Sequence, residues 1–140
     1  MKTIELKQTT YQPLLTEMET ENAIAEVKSY FAASLSKALN LTKVEAPLLV
    51  EQGTGINDDL NGIESPVGVN VKELPQVKVE IVHSLAKWKR VKLARLKAPP
   101  NQGLITDMKA LRPDENLSDV HSIYVDQWDW EKVKIGRAHV

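Results

Sequence analysis

From Thr16 onward, apolar residues recur at intervals of three and four: Ile24, Val27, Phe31, Leu35, Ala38 and Leu39. That period predicts one long amphipathic helix ending near Asn40. Thr16 and Glu19 have capping-box spacing, and Glu17, Glu19 and Glu21 suit the positive end of a helix dipole. Residues 1–15 read as a short extended arm. Downstream the period falls to two. A strand is expected from Lys43 to Val50, and Pro47 inside it favours a sheet edge, because proline offers no N–H to a ladder. Val67, Val69 and Val71 alternate strictly, as do Val77, Val79 and Ile81, with Leu74-Pro75 between them, which predicts a hairpin. A second helix is expected from Leu85 to about Lys97, with Ser84 as its candidate N-cap. Residues 98–103, APPNQG, break it. Alternation returns over Leu104 to Leu111 and again after the next loop. There Ile123, Val125, Gln127, Asp129 and Glu131 share one face, and Ser122, Tyr124, Asp126, Trp128 and Trp130 the other. Met108 to Glu131 is thus strand, loop, strand, and the other elements are arranged around it.

The chain has 140 residues, 42% of them hydrophobic and 26% charged, which suffices for one α+β domain with a core. It contains no apolar run that could span a membrane, and its start, MKTIELKQTT, lacks the apolar centre of a signal peptide, so a cytoplasmic location is expected. A formal net charge of −1 exerts no global pull on nucleic acid or anionic lipid. Cysteine is absent, which excludes disulfides, thiolate metal sites and a cysteine nucleophile within this stretch. No internal repeat, Walker-type glycine loop or zinc-ligand spacing occurs, so a nucleotide would have to be held by strand-loop-strand elements.

Candidate chemistry concentrates in four places. Arg112-Pro113-Asp114-Glu115 opens a turn at a loop mouth, where a guanidinium can grip a phosphate or carboxylate in bidentate fashion. Glu115 could accept from an exocyclic amine such as that of adenine. The same four residues also suit an ordinary hairpin with a solvated charge pair. Gly53-Thr54-Gly55 followed by Asn57-Asp58-Asp59 is a loop by composition, its adjacent carboxylates either solvated or part of a site. The second helix carries six cations within eleven residues, Lys87, Lys89, Arg90, Lys92, Arg95 and Lys97. These make either an anion-binding patch or a solvated face with Leu85, Trp88 and Leu96 turned inward. Gln127 and Asp129 share a sheet face about 7 Å apart and could read one zwitterion at two points, the carboxylate taking an ammonium and the amide a carboxylate oxygen.

Three blocks in order, DDLNG at 58–62, HSLAKWKR at 83–90 and MKALRPDE followed by HSIYVDQWDWE across 108–131, resemble the ammonia-dependent asparagine synthetases, the aspartate–ammonia ligase family. The resemblance runs from about residue 20 to Val133. It implies part of a catalytic domain like that of class II aminoacyl-tRNA synthetases, a mainly antiparallel sheet with flanking helices. It also implies amidation of aspartate by ammonia and ATP through a β-aspartyl-adenylate, with release of pyrophosphate and AMP. By this resemblance Arg112 acts on the α-phosphate, Glu115 and His121 face adenine, and Asp58, Ser84, Lys89, Gln127 and Asp129 form the aspartate pocket. In that pocket Asp58 would hold the α-ammonium and Lys89 the α-carboxylate. Asp59 stands where the family often has a neutral amide, and the choice between the two neighbours stays open. Magnesium is implied by ATP chemistry, with ligands outside this chain. A homodimer through the first long helix and the following strand is implied too, with no nucleic-acid or membrane partner. The lack of cysteine suits the ammonia-using route, since a glutamine-dependent enzyme needs a thiol, in related glutaminases directly after the initiator methionine, where Lys2 stands here.

Family members continue well past the tryptophan strand. Residues 1–134 are therefore expected to be the N-terminal part of a single catalytic domain, inactive alone. Ile135 to Val140, IGRAHV, is expected to be non-native, because it is also the translation of the start of a common short-read sequencing adapter. Two other readings stand beside this one: a catalytic fragment of a class II aminoacyl-tRNA synthetase whose basic helix touches RNA, and a non-enzymatic oligomeric interaction module built on the first helix.

Overall fold

The computed structural model describes residues 12–58, 62–118 and 120–134. The expected tail at 135–140 and most of the expected arm lie outside them. The chain divides into two compact units, one up to Phe31 and one from Ala32 onward.

The first unit is dominated by the start of α1 (Glu17–Leu39). Its capping box forms as the spacing predicts. The Thr16 N–H donates to Glu19 Oε2 at 2.8 Å, and the Glu19 N–H donates to Thr16 Oγ1 at 3.3 Å. The Thr16 N–H and then its hydroxyl hold the Glu19 carboxyl below its ordinary value of 4.5. A group whose folded pKa is depressed stabilises the fold above its unfolded value, and that contribution disappears as pH falls through the folded value. The first turn of α1 is therefore expected to loosen only below the ordinary glutamate range. A side-chain carboxyl NMR titration with a midpoint under 4.5 for Glu19 would agree, and an ordinary midpoint would not. No residue of α1 is buried, and Ile24, Val27 and Phe31 of the apolar stripe are exposed.

In the second unit α1 ends where expected. Asn40 takes a left-handed φ of 56°, a conformation asparagine tolerates at a helix C-terminus. Its carbonyl accepts from the Gly103 N–H at 3.1 Å, which carries the chain directly into a sheet. The single strand expected over 43–50 is instead two short ones, β1 (Leu41–Lys43) and β2 (Leu49–Glu51), in different sheets. After the Val44 N–H donates to the Ile105 carbonyl at 2.9 Å the chain leaves the first sheet, and Pro47 lies in the crossing segment, where its missing donor costs no ladder bond. Both strands are sheet edges. The expected hairpin forms as β3 (Gly68–Asn70) and β4 (Lys78–Ile81), antiparallel, with β2 on the other side of β4. Helix α2 (Ala86–Arg95) follows, then β5 (Gly103–Leu111) and β6 (Tyr124–Lys132). The latter two are antiparallel, so the strand-loop-strand prediction holds. However, β1 runs parallel to β5, so the architecture is α+β with one mixed and one antiparallel three-stranded sheet, not the mainly antiparallel sheet expected.

The two sheets meet at the end of β4. The Val82 N–H donates to the Leu48 carbonyl at 3.1 Å, and the Val82 carbonyl accepts from the Leu111 N–H at 3.2 Å. Val50, Val82, Leu85, Met108 and Ala110 form a buried cluster there, joined by Ala46, Ile56, Trp88 and Val125. Among the described residues no helix is long and apolar enough to cross a membrane.

Gly103 sits at a tight point of the mixed sheet. A Cβ there would press on the Glu131 carbonyl oxygen and lie 2.6 Å from Leu41 Cδ2 and 3.0 Å from Lys132 Cα. Because two of these neighbours are backbone, Gly103→Ala is expected to destabilise the fold by about 1–3 kcal/mol, as overpacking of a filled site does. A denaturation midpoint equal to that of the unsubstituted protein would contradict this packing.

Candidate functional site

The β5–β6 loop begins as its sequence predicts. The Glu115 N–H donates to the Arg112 carbonyl at 3.1 Å, closing a four-residue turn over Arg112-Pro113-Asp114-Glu115. The Arg112 N–H is anchored on the Ile123 carbonyl at 2.7 Å. Its Nε donates to the His83 carbonyl at 3.3 Å, which steadies the guanidinium against the end of β4 and leaves its two terminal nitrogens as a fork. Beside this turn opens a cleft of about 710 Å³ lined by Asp58, Ile63, Glu64, Arg112, Asp114, Glu115 and Asn116. That volume lies within the range of small-molecule sites. Asp114 ties the cleft together, its Oδ2 accepting from the Ser65 N–H at 2.7 Å.

Four carboxylates around one guanidinium make this an unusual receptor for an anion. The acidic side chains favour ammonium or exocyclic amine groups, and the arginine supplies one anchored point for a phosphate or carboxylate. Among the described residues no three His, Asp or Glu side chains converge where a metal ion could be held.

A second cluster lies where α2 packs on β5 and β6. Cross-strand register sets Leu104 opposite Glu131, Thr106 opposite Asp129, Met108 opposite Gln127 and Ala110 opposite Val125, all on the face that meets the core. The predicted alternation of β6 is therefore the observed one. Lys89, on α2 and only 4% exposed, reaches this face and pairs through Nζ with Asp129 Oδ1, with the Trp130 carbonyl also accepting at 3.2 Å. Lys89 and Asp129, both expected in the aspartate pocket, thus lie in direct contact. The Thr106 hydroxyl across the strand from Asp129 is buried and has no partner among the described residues. Gln127 shares that face and is exposed.

Ser84 does not stand at the N-cap of α2. Leu85 occupies that position, and Ser84 Oγ, one residue earlier, accepts from the Ala86 N–H at 3.2 Å. The shift arises because His83 and Ser84 still follow the β4 path, held by bonds at Val82 and His83. His83 is 1% exposed and bonded through its backbone, while its Nε2 has no partner among the described residues. His121 is exposed in the β5–β6 loop with Nδ1 2.8 Å from Ser118 Oγ, and it is not among the residues lining the cleft.

The structure thus gathers Asp58, Arg112 and Glu115 at one cleft and Lys89 with Asp129 at a neighbouring face, while Ser84 flanks the strand end between them. Asp58 is among the carboxylates that line the cleft, and Asp59 lies outside the described residues. Two participants were not expected. Lys87, one of the six cations of the second helix, has Nζ 3.7 Å from Asp58 Oδ1. Asn57, read as a turn residue, is 5% exposed and fully bonded. The first joins a loop to a helix distant in sequence, which no local spacing reveals, and only the run of three polar residues after Ile56 could have hinted at the second.

The family described as aspartate–ammonia ligase matches residues 18–138. An aspartate–ammonia ligase of Clostridium perfringens strain SM101 is 58% identical over 123 residues, covering 88% of this chain and 37% of that protein. One from Bacteroides thetaiotaomicron is 52% identical over 128 residues, covering 91% and 37%, and one from Ruminiclostridium cellulolyticum is 54% identical over 123 residues, covering 88% and 37%. The chain thus spans 37% of the length of these relatives, and the match takes in both the cleft and the Lys89–Asp129 face. On this similarity, carried through nearly every described residue, the chain belongs to the aspartate–ammonia ligase family.

Proposed function

We propose that these residues form the amino-acid side and the α-phosphate side of a site that converts aspartate, ammonia and ATP into asparagine, AMP and pyrophosphate. The supporting observation is the anchored Arg112 fork in a cleft shared with Asp58 and Glu115. A carboxylate is a poor acyl donor because its leaving group would be oxide. Adenylation removes that obstacle: a β-carboxylate oxygen of aspartate attacks the α-phosphorus, and the bond to the bridging oxygen breaks to release pyrophosphate. Ammonia then adds to the acyl carbon, AMP leaves with the former carboxylate oxygen, and the nitrogen sheds a proton to give the amide.

The protein's part is positioning and charge stabilisation. Arg112 neutralises the α-phosphate as it becomes five-coordinate. Glu115 accepts from the adenine amine, with His121 of the same loop closing on the base. Asp58 holds the α-ammonium in exchange for Lys87. Lys89, with Gln127 and Ser84 nearby, takes the α-carboxylate, while Asp129 both fixes Lys89 and faces the ammonium. Magnesium supplies charge neutralisation to the nucleotide's phosphates; the described residues offer it no cluster, and no step above depends on their holding it. The domain is of the class II aminoacyl-tRNA synthetase type, completed by the rest of the protein, and residues 1–140 alone form no asparagine.

The exposed stripe of α1, with Ile24, Val27 and Phe31 on it, suits a homodimer contact with the adjoining strand. Conversion of isotopically labelled ammonia into asparagine by a full-length protein carrying this sequence, and none by residues 1–140, tests the assignment. Labelled asparagine from residues 1–140 alone would overturn the division of the site between the two parts.

A further inference from the structure

We infer that Asn57 is a positioning residue that sets Asp58 against the end of β4, and so fixes the α-ammonium end of the aspartate pocket. The inference rests on the proposed aspartate site.

Asn57 lies in the loop between β2 and β3, yet its side chain is bonded entirely into β4 and its continuation. Its Nδ2 donates to the Ile81 carbonyl at 3.2 Å and to Glu80 Oε1 at 3.0 Å, while its Oδ1 accepts from the His83 N–H at 2.7 Å. Along an extended strand the C=O of one residue and the N–H of the residue two further on face the same edge. Asn57 therefore does with its side-chain amide what a peptide group of a neighbouring strand would do, just beyond the pairing of β4 with β3, where the Ile81 N–H still reaches the Val67 carbonyl at 2.9 Å.

Only asparagine meets all three demands. With the amide turned over, oxygen would face two acceptors and nitrogen a donor, so a single orientation satisfies the site. Aspartate would have no hydrogen for Glu80 Oε1 or the Ile81 carbonyl and would bring a second carboxylate against a buried one. Glutamine keeps the chemistry but moves the loop by a methylene.

The consequence reaches the site in both directions. Asp58 is the next residue and lines the cleft. His83, whose N–H ends on Asn57, offers its carbonyl to Arg112 Nε and is followed by Ser84. Thus one buried amide joins the backbone that bears Asp58 to the backbone that bears Ser84. Among the described residues Asp58 pairs with Lys87 alone, and at 3.7 Å, so its placement leans on the anchored residue before it.

The test uses a full-length protein carrying this sequence, with Asn57→Gln, Asn57→Asp and the double variant Asn57→Asp with Glu80→Gln, in which the glutamine amide can donate to the new carboxylate. Aspartate-dependent ATP–pyrophosphate exchange and melting temperature are measured for each. Asn57→Gln is expected to raise the KM for aspartate about tenfold or more, a change of about 1.4 kcal/mol, while kcat and the KM for ATP stay within about threefold. Asn57→Asp should do the same or fail to fold, and the double variant should recover at least part of the aspartate KM. An aspartate KM unchanged in folded Asn57→Gln, or aspartate and ATP constants that worsen together with the melting temperature, would show a merely structural residue and overturn the inference. If the unsubstituted protein showed no aspartate-dependent exchange, the aspartate site itself would fall and this inference with it. Exchange intact in the unsubstituted protein and unaltered in the variants would sink the Asn57 role alone.

Discussion

Arg112→Lys, in a full-length protein carrying this sequence, is expected to slow adenylate formation by about 100-fold or more while changing aspartate binding by less than about threefold. Loss of one preorganised charge-stabilising donor typically costs this much at the rate-determining transition state. Lysine keeps the positive charge, but it has neither the Nε–H that reaches the His83 carbonyl nor the planar fork beyond it. A point charge on a flexible stem would still attract a phosphate. It would not be held at a fixed angle to the α-phosphorus by the end of β4. Single-turnover adenylate formation and equilibrium aspartate binding separate the two effects, and equal losses in both would place Arg112 outside the phosphate site.

The second large effect is expected at the Lys89–Asp129 pair. Asp129→Asn leaves a nearly buried ammonium facing a neutral amide, and removing one partner of a buried pair destabilises a fold by about 3–5 kcal/mol. The KM for aspartate should also rise by at least about tenfold, because a charge-assisted hydrogen bond contributes about 1.5–3 kcal/mol. Replacing both members by apolar residues of similar size, Lys89→Met with Asp129→Leu, should restore much of the stability and none of the aspartate binding. That contrast distinguishes a ligand site from an internal brace. Asp126→Asn, on the opposite face of β6, should leave the aspartate KM nearly unchanged. Were Asp126 the sensitive position and Asp129 the silent one, the face of β6 turned toward α2 would not be the ligand face.

What the amino-acid pattern foretold divides along the range of the interactions involved. The start of α1 was legible because Thr16 and Glu19 satisfy each other's backbone groups within one turn, and its end because Asn40 tolerates a left-handed φ. The β3–β4 hairpin and the faces of β6 were legible because alternation fixes which side chains point together. The split of residues 43–50 was not legible. Whether Leu41–Lys43 pairs with a strand some sixty residues later, and in parallel, depends on partners that no local pattern names.

The site followed the same division. Arg112, Glu115 and Asp58 could be placed near loop mouths from turn chemistry alone, and the cleft joins them. The contact between Lys89 and Asp129 crosses from a helix to a strand forty residues away, and family resemblance brought them to one pocket without showing that they pair. Asn57 sits in a stretch with the composition of a turn. Its actual use, bonding a strand edge through its side chain, appears only once β4 is in place.

The most direct measurement of the central claim is ATP–pyrophosphate exchange by a full-length protein carrying this sequence, run with and without aspartate, added tRNA and ammonia. If Arg112 and the aspartate-side residues serve adenylation of the free amino acid, exchange should require aspartate, proceed without tRNA, and give way to net AMP and asparagine formation when ammonia is supplied. Exchange that is independent of aspartate, or aspartate transferred to tRNA in place of ammonia, would contradict that account.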